Sequence, residues 1–296
     1  MNMETKVNLI VGAGYAGLNA YYSLDSAIIL SRTSVFKYWT AELRRVIDPS
    51  VRGEVKIPFV RVEEVNDLDI GSRTVRTNLG TYVAENLILA PGCIRPNLTQ
   101  LIQESLKRKE VSLGVEDEKD EYLILQLGFY LKRLGKDVKI AGNFLRFLGT
   151  EVENKVLELT TRYGLKSTES PELVLDECKV QEPFQAYTVN QYLEIKGGVY
   201  AAGDVVKGWP KLGELAMRSG VYIGERVKGR NRGSFKPIFI FILDTGHGIG
   251  LHVRSTKPWG EDNVSLRVSR LRPLMKRFLE RYYIWRRGKM GFLINL

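Results

Sequence analysis

Three glycines, Gly12, Gly14 and Gly17, stand in G-x-G-x-x-G spacing directly behind the apolar run "VNLIV" and at the head of "YAGLNAYYSL", which has helical spacing. In that context the first glycine permits a tight turn, the second lets backbone N–H groups approach a pyrophosphate, and the third lets helix close on strand. The helix N-terminus adds unpaired N–H groups and the positive end of a dipole. The predicted ligand is a dinucleotide. The carboxylate that ordinarily grips a ribose hydroxyl at the end of the second strand is replaced by Ser31, with Arg32 beside it. A serine keeps one hydrogen bond and loses the bidentate contact, while the arginine favours a phosphate, so the identity of the dinucleotide stays open.

Cysteine and histidine are the other reactive types. Cys93 and Cys178 are too few for a disulfide framework, and no C-x-x-C pair occurs, which leaves buried structural thiols against a thiolate nucleophile. His247 and His252 lie in "DTGHGIGLHV", whose glycines predict a hairpin and whose spacing fits no metal.

The elements that would position these groups read as βαβ units. "KVNLIV", the glycine turn, a helix and "AIILSR" open the chain as strand, helix, strand; an irregular aromatic and basic stretch follows, then a small antiparallel insert ending in a buried strand, "NLILA". "EVSLGV", "YLILQLGFYLKRLG" and "KDVKIAG" repeat the logic. "TEVENKVLELTTRYG" predicts an amphipathic helix with Thr150 as N-cap, Glu153 at the capping-box position and Gly164 past its end. Pro273 predicts the start of a C-terminal helix. The 296 residues, 44% hydrophobic and 26% charged, suit one large or two modest globular domains and exclude disordered, collagen-like and disulfide-stapled classes. The longest apolar run, "PIFIFIL", is far short of the ~20 residues that span a bilayer. No leader pattern opens the chain, so a cytoplasmic location is expected.

Two further segments carry a family resemblance. "ENLILAPGCIRP", holding Ala90, Pro91 and Gly92, resembles the strand-plus-ATG element of the two-dinucleotide-domain flavoproteins related to glutathione reductase, the FAD-dependent pyridine nucleotide-disulfide oxidoreductases. "GGVYAAGDV", holding Gly203 and Asp204, resembles their strand-plus-GD element. Within that superfamily the chain is most similar to type II NADH:quinone and sulfide:quinone oxidoreductases, over nearly its whole length. The resemblance implies an α/β fold of two Rossmann-like, glutathione-reductase-type βαβ domains, the second shortened, plus a C-terminal amphipathic helix. It divides the chain into a discontinuous FAD-binding domain (1–108 and 186–232), a degenerate dinucleotide-type domain (109–185) and C-terminal strands and basic helix (233–296). FAD is the implied cofactor. Asp204 would hold the ribityl chain, Gly203 would allow close backbone approach, Val65 would contact adenine, and Ala16 and Leu212 would stand around the cofactor. The helix in "WPKLGELAMRSGVYIGERV" would point its N-terminus at the flavin pyrimidine and stabilise negative charge there.

Where NADH-using relatives carry a second glycine fingerprint, this chain reads "GVEDEKDE". Gly114 alone remains, and Glu116, Asp117, Glu118, Asp120 and Glu121 would repel a pyrophosphate. NADH binding is therefore not expected, and the acid run is either a solvated loop or a dock for a basic partner. Sulfide-oxidising relatives shuttle sulfur through cysteines, which makes Cys178 the catalytic candidate. The implied reaction passes electrons through flavin to a quinone or an electron-carrier protein; the reading from another class is a flavin-binding subunit that has lost catalysis and acts by assembly.

The formal charge of +10 is concentrated at the C-terminus, where Val264 to Leu296 hold nine basic residues against Glu280 alone. There Leu271, Leu274, Met275, Phe278, Tyr282 and Trp285 recur at helical spacing, and Lys276, Arg277, Arg281, Arg286 and Arg287 lie mostly elsewhere. This predicts an interfacial helix, peripheral on the cytoplasmic membrane face, with a domain cap or a homodimer contact as competing readings. No nucleic-acid-reading motif appears.

Overall fold

A computed structural model describes residues 7–256, 259–260 and 264–295. The absence of a leader, read from the first residues, and the last residue of the apolar tail lie outside the described residues. The strand β1 (Val7–Val11) leads into α1 (Tyr15–Ser23) and returns as β2 (Ile28–Ser31), parallel to β1. The stretch that looked irregular in sequence forms a short antiparallel pair, β3 (Val35–Lys37) and β4 (Glu54–Lys56), bracketing α2 (Trp39–Arg44). After β5 (Arg61–Val62), the strands β6 (Val65–Asp69), β7 (Thr74–Thr77) and β8 (Thr81–Leu89) make the expected antiparallel insert. The end of β8 joins β1 in parallel, buried on both faces, which is why both read as unbroken apolar runs.

The chain then runs through α3 (Leu98–Lys107) into a second parallel sheet, built of β9 (Glu110–Val115), α4 (Glu121–Arg133), β10 (Asp137–Ile140), α5 (Thr150–Arg162), β11 (Lys166–Ser167) and β12 (Leu173–Leu175), in the order β11-β10-β9-β12. Thr150 is not the cap of α5 but its first helical residue. The cap is Gly149, whose φ of 136° lies outside what a threonine adopts, and its carbonyl accepts the N–H groups of Val152 and Glu153. Helix α4 is buried nearly all round because the sheet covers one side and a third, antiparallel sheet the other: Tyr122 Oη donates to the Ile242 carbonyl at 3.0 Å.

From there β13 (Glu194–Lys196) and β14 (Val199–Ala201) return to the first sheet, giving the order β13-β14-β8-β1-β2-β5, and α6 (Gly213–Val227) packs on α1. The third sheet is β15 (Phe239–Asp244), β16 (Gly250–Ser255) and β17 (Ser265–Ser269), with the predicted hairpin between the first two.

Helix α7 (Leu271–Trp285) begins two residues before Pro273 and covers that sheet with an unexpected face. Leu271, Leu274, Phe278 and Trp285 stay 59%, 57%, 55% and 74% exposed, whereas Tyr282 and Lys276 are buried. Lys276 thus leaves the outward basic set to which its spacing assigned it. It faces a buried network: Arg44 Nη1 donates to Asp244 at 2.9 Å and its Nη2 and Nε to Glu280, while Lys276 Nζ donates to Tyr122 Oη at 2.9 Å and to Gln126.

Candidate functional site

The motif loops meet at the C-terminal ends of β1, β2, β8 and β14, the place where parallel α/β sheets hold ligands. Gly12, Gly14, Ala16, Ser31, Arg32, Val65, Ala90, Pro91, Gly92, Gly203 and Asp204 all line one cavity of about 290 Å³. The glycine triplet divides into two kinds. A Cβ on Gly12 would strike the Ala90 carbonyl, and one on Gly17 the Gly12 carbonyl, so these two are required for packing and Gly17 lies behind the cavity. A Cβ on Gly14 would meet nothing within 4 Å, because it would project into the cavity. Gly14 therefore leaves this part of the cavity open.

Leu212 does not line this cavity. It precedes α6 and borders a neighbouring cavity of about 410 Å³, which shares Tyr15, Trp39, Arg95, Asp204 and Ala216 with the first. The two are adjoining compartments. Gly203 N–H donates to Ser219 Oγ at 3.0 Å, and Lys211 Nζ donates to the Asp204 carbonyl at 2.6 Å, leaving the Asp204 carboxylate toward the shared wall. Tyr15 Oη accepts the Trp39 N–H at 2.8 Å, and burial pushes its phenol far above the ordinary range, so it stays protonated.

Cys93 and Cys178, which spacing alone left as separate thiols, form a disulfide between residues 85 positions apart. Cys178 is thereby placed beside the cradle, and Cys93 Sγ lies 3.8 Å from Asp204 Oδ2.

The acid run is not a solvated loop throughout. Asp120 and Glu121 are buried at the start of α4: Asp120 accepts from Arg95 Nε at 2.8 Å, and Glu121 accepts the backbone N–H groups of Asn143 and of Leu145, the latter at 2.6 Å. Burial raises both carboxyls above their usual range despite these partners. A Cβ on Gly114 would run against the Pro171 ring, so this glycine serves packing.

Sequence reading missed the second cavity. Its walls come from α2, α4, α6, α7 and the third sheet, and include Tyr122, Ile240, Ile242, His252, Arg254, Arg267, Arg272, Lys276 and Leu279. Asp204 and Leu212, which the family resemblance had placed at the cofactor, and the start of α6 are the parts of its lining that the sequence had marked. Among the described residues no helix is long and apolar enough to cross a membrane.

No protein-family model matches the chain. No curated protein matches it either. Solved structures do share its fold. A covalent putidaredoxin reductase–putidaredoxin complex aligns with TM-score 0.61 and 12% identity over 96% of this chain and 94% of that one. Reduced CoADR-RHD of Bacillus anthracis aligns with TM-score 0.62 and 11% identity over 86% of this chain and 62% of that one. The fold is the Rossmann-type α/β architecture of these proteins.

Proposed function

We propose that the chain is an FAD-dependent oxidoreductase that works on a membrane surface and hands electrons to a quinone. The observation that carries this reading is the cradle itself: three separated motifs open onto one cavity, and Gly14 leaves it free where a pyrophosphate would lie. In this reading the N-terminus of α1 binds the pyrophosphate, Val65, Ser31 and Arg32 flank the adenosine end, and Asp204 binds the ribityl hydroxyls. The bound flavin supplies two-electron storage. The N-terminus of α6, where Glu214 is paired with Arg218, and the nearby Lys211 would favour negative charge on a flavin held there. The apolar walls of the second cavity, with Ile240, Ile242 and Leu279, suit a quinone ring, and the exposed stripe of α7 suits the acyl region. The carrier complexed with putidaredoxin reductase supports a protein acceptor instead, and the basic C-terminal surface would suit an acidic one.

The Cys93–Cys178 disulfide supports sulfide as donor. Attack by HS⁻ on one sulfur would break the S–S bond and leave a persulfide on one cysteine and a thiolate on the other. Under anaerobic conditions sulfide should bleach the flavin absorbance, and Cys93→Ser and Cys178→Ser should each abolish that bleaching, because either change removes the disulfide. Micromolar NADH should bleach slowly or not at all, since Asp120 and Glu121 occupy the turn where its pyrophosphate would sit. Fast bleaching by NADH would refute this donor assignment. Reoxidation of the bleached protein by a quinone tests the acceptor; no turnover with any artificial acceptor would favour the assembly-subunit reading.

The membrane part has its own test. Removing two exposed apolar side chains by Leu274→Ser with Phe278→Ser should weaken binding to vesicles by at least about tenfold, since burying each contributes roughly 1.5 kcal/mol or more. Unchanged flotation of the double variant would exclude α7 as the membrane contact.

A further inference from the structure

Three buried nitrogens converge on one wall of the second cavity with no partner among the described residues: His252 Nδ1 and the donors Arg254 Nε from β16 and Arg272 Nε from the first turn of α7. Buried polar atoms in native structures nearly all have partners, so three orphans on one wall point to an absent acceptor. The first turn of α7 adds to them, since it holds no acid and no side chain caps it. It sits directly on β16, where a Cβ on Gly250 would stand 3.1 Å from both Arg272 Cβ and Pro273 Cδ. His252 is paired across the sheet with Arg267, which lines the same wall and is exposed.

Among the described residues no acid pairs with Arg254, Arg267 or Arg272. Elsewhere in the cavity Arg95 is held by Asp120, Lys211 by the Asp204 carbonyl, and Lys276 by Tyr122 and Gln126, near Glu280 and Asp244. Burial, then the fields of Arg272, Arg267 and Arg254, push the His252 imidazole down to about 4, which leaves it neutral near pH 7 beside three guanidiniums. The same end of α7 presents Leu271 and Leu274 to solvent.

We propose that His252, Arg254, Arg267 and Arg272, with the first turn of α7, bind the phosphate of an anionic lipid headgroup. Guanidinium groups and an uncapped helix N-terminus are matched to a phosphate oxyanion. The adjoining apolar face selects a lipid over free phosphate, because acyl chains would cover Leu271 and Leu274. This site rests on the membrane reading above and refines it, by placing a defined lipid contact on one wall of the acceptor cavity.

The test is flotation of the full chain, as purified, with phosphatidylcholine vesicles and with vesicles that also contain phosphatidylglycerol. Two double variants of equal charge loss are compared: Arg254→Gln with Arg272→Gln at the site, and Arg277→Gln with Arg281→Gln on the exposed side of the helix. Diffuse attraction predicts equal losses from the two pairs. The headgroup site predicts that the first pair loses at least about tenfold more affinity for phosphatidylglycerol vesicles. Equal losses would overturn the site and leave the membrane reading standing; no binding of the intact chain to either vesicle would overturn both. Displacement from the vesicles by inorganic phosphate at constant ionic strength would assign the wall to free phosphate and overturn the lipid. A readout on the unaltered chain covers a misfolded variant. Short-chain phosphatidylglycerol should raise the pKa of His252 followed by imidazole NMR, and no movement of that resonance would overturn the proposal.

Discussion

Gly14→Glu is expected to yield folded protein that lacks the proposed flavin. The new side chain would enter the space left open beside the loop, and its carboxylate would lie where the proposed pyrophosphate would bind, so repulsion and occlusion act together. The contrast with the neighbouring glycines makes the result specific. Gly12→Ala and Gly17→Ala drive a Cβ into the backbone and should lower thermal stability, whereas Gly14→Glu should melt near the unaltered apoprotein. Asp204→Ala should lower flavin content to a lesser degree, because it would remove the proposed ribityl contacts and leave the glycine loop intact. The ratio of flavin absorbance to protein decides the matter: stoichiometric flavin in purified Gly14→Glu would sink the assignment.

The largest stability effect is expected from Arg44→Met. Arg44, Asp244 and Glu280 are 3%, 2% and 3% exposed, and the arginine is the bridge between the two carboxylates. Its removal leaves two buried acids with Lys276 as their one nearby cation among the described residues, Asp244 keeping the Gly246 N–H at 2.9 Å. Breaking a buried pair in this way costs about 3–5 kcal/mol, which for a chain of this size is roughly 10 °C in Tm. Adding Glu280→Gln to Arg44→Met should recover part of the loss, since an uncharged partner no longer needs compensation. A drop of under about 2 °C for Arg44→Met would show that the network contributes nothing. The same network sets a pH dependence. Burial pushes the Lys276 ammonium from 10.5 down to about 7, so between those values the unfolded chain binds more protons than the native one. Stability therefore rises with pH across that window, as the cost of burying the charged form is relieved. Measured between about pH 7 and 9, below the range where tyrosines titrate, Lys276→Met should flatten this rise; an unchanged slope would show that another group produces it.

The glycine loop, the parallel strands around it and the hairpin near His247 were legible in the sequence because each follows from short-range sterics: glycine spacing, unbroken apolar runs, turn residues between them. Those constraints act over a few residues and leave a local mark. Where a local rule failed, a stronger local one had replaced it, as when Gly149 with its positive φ took the cap from Thr150. Pairings across the chain leave no such mark. The Cys93–Cys178 disulfide, the Arg44–Glu280 pair 236 residues apart and the cavity walled by β16, α4 and α7 exist only because the sheets bring those elements together. The C-terminal helix shows both halves. Its amphipathic stripe was written in the spacing, but burial of Lys276 and Tyr282 was not. Nor were the bonds that tie the segment after it to α1 and α6, Asn19 to the Gly288 carbonyl and the Met290 N–H at 2.8 Å each and Arg218 to the Ile294 carbonyl at 2.8 Å. Periodicity tells which side chains share a face of a helix, and only the tertiary structure decides which face meets the core, because that choice depends on partners hundreds of residues away.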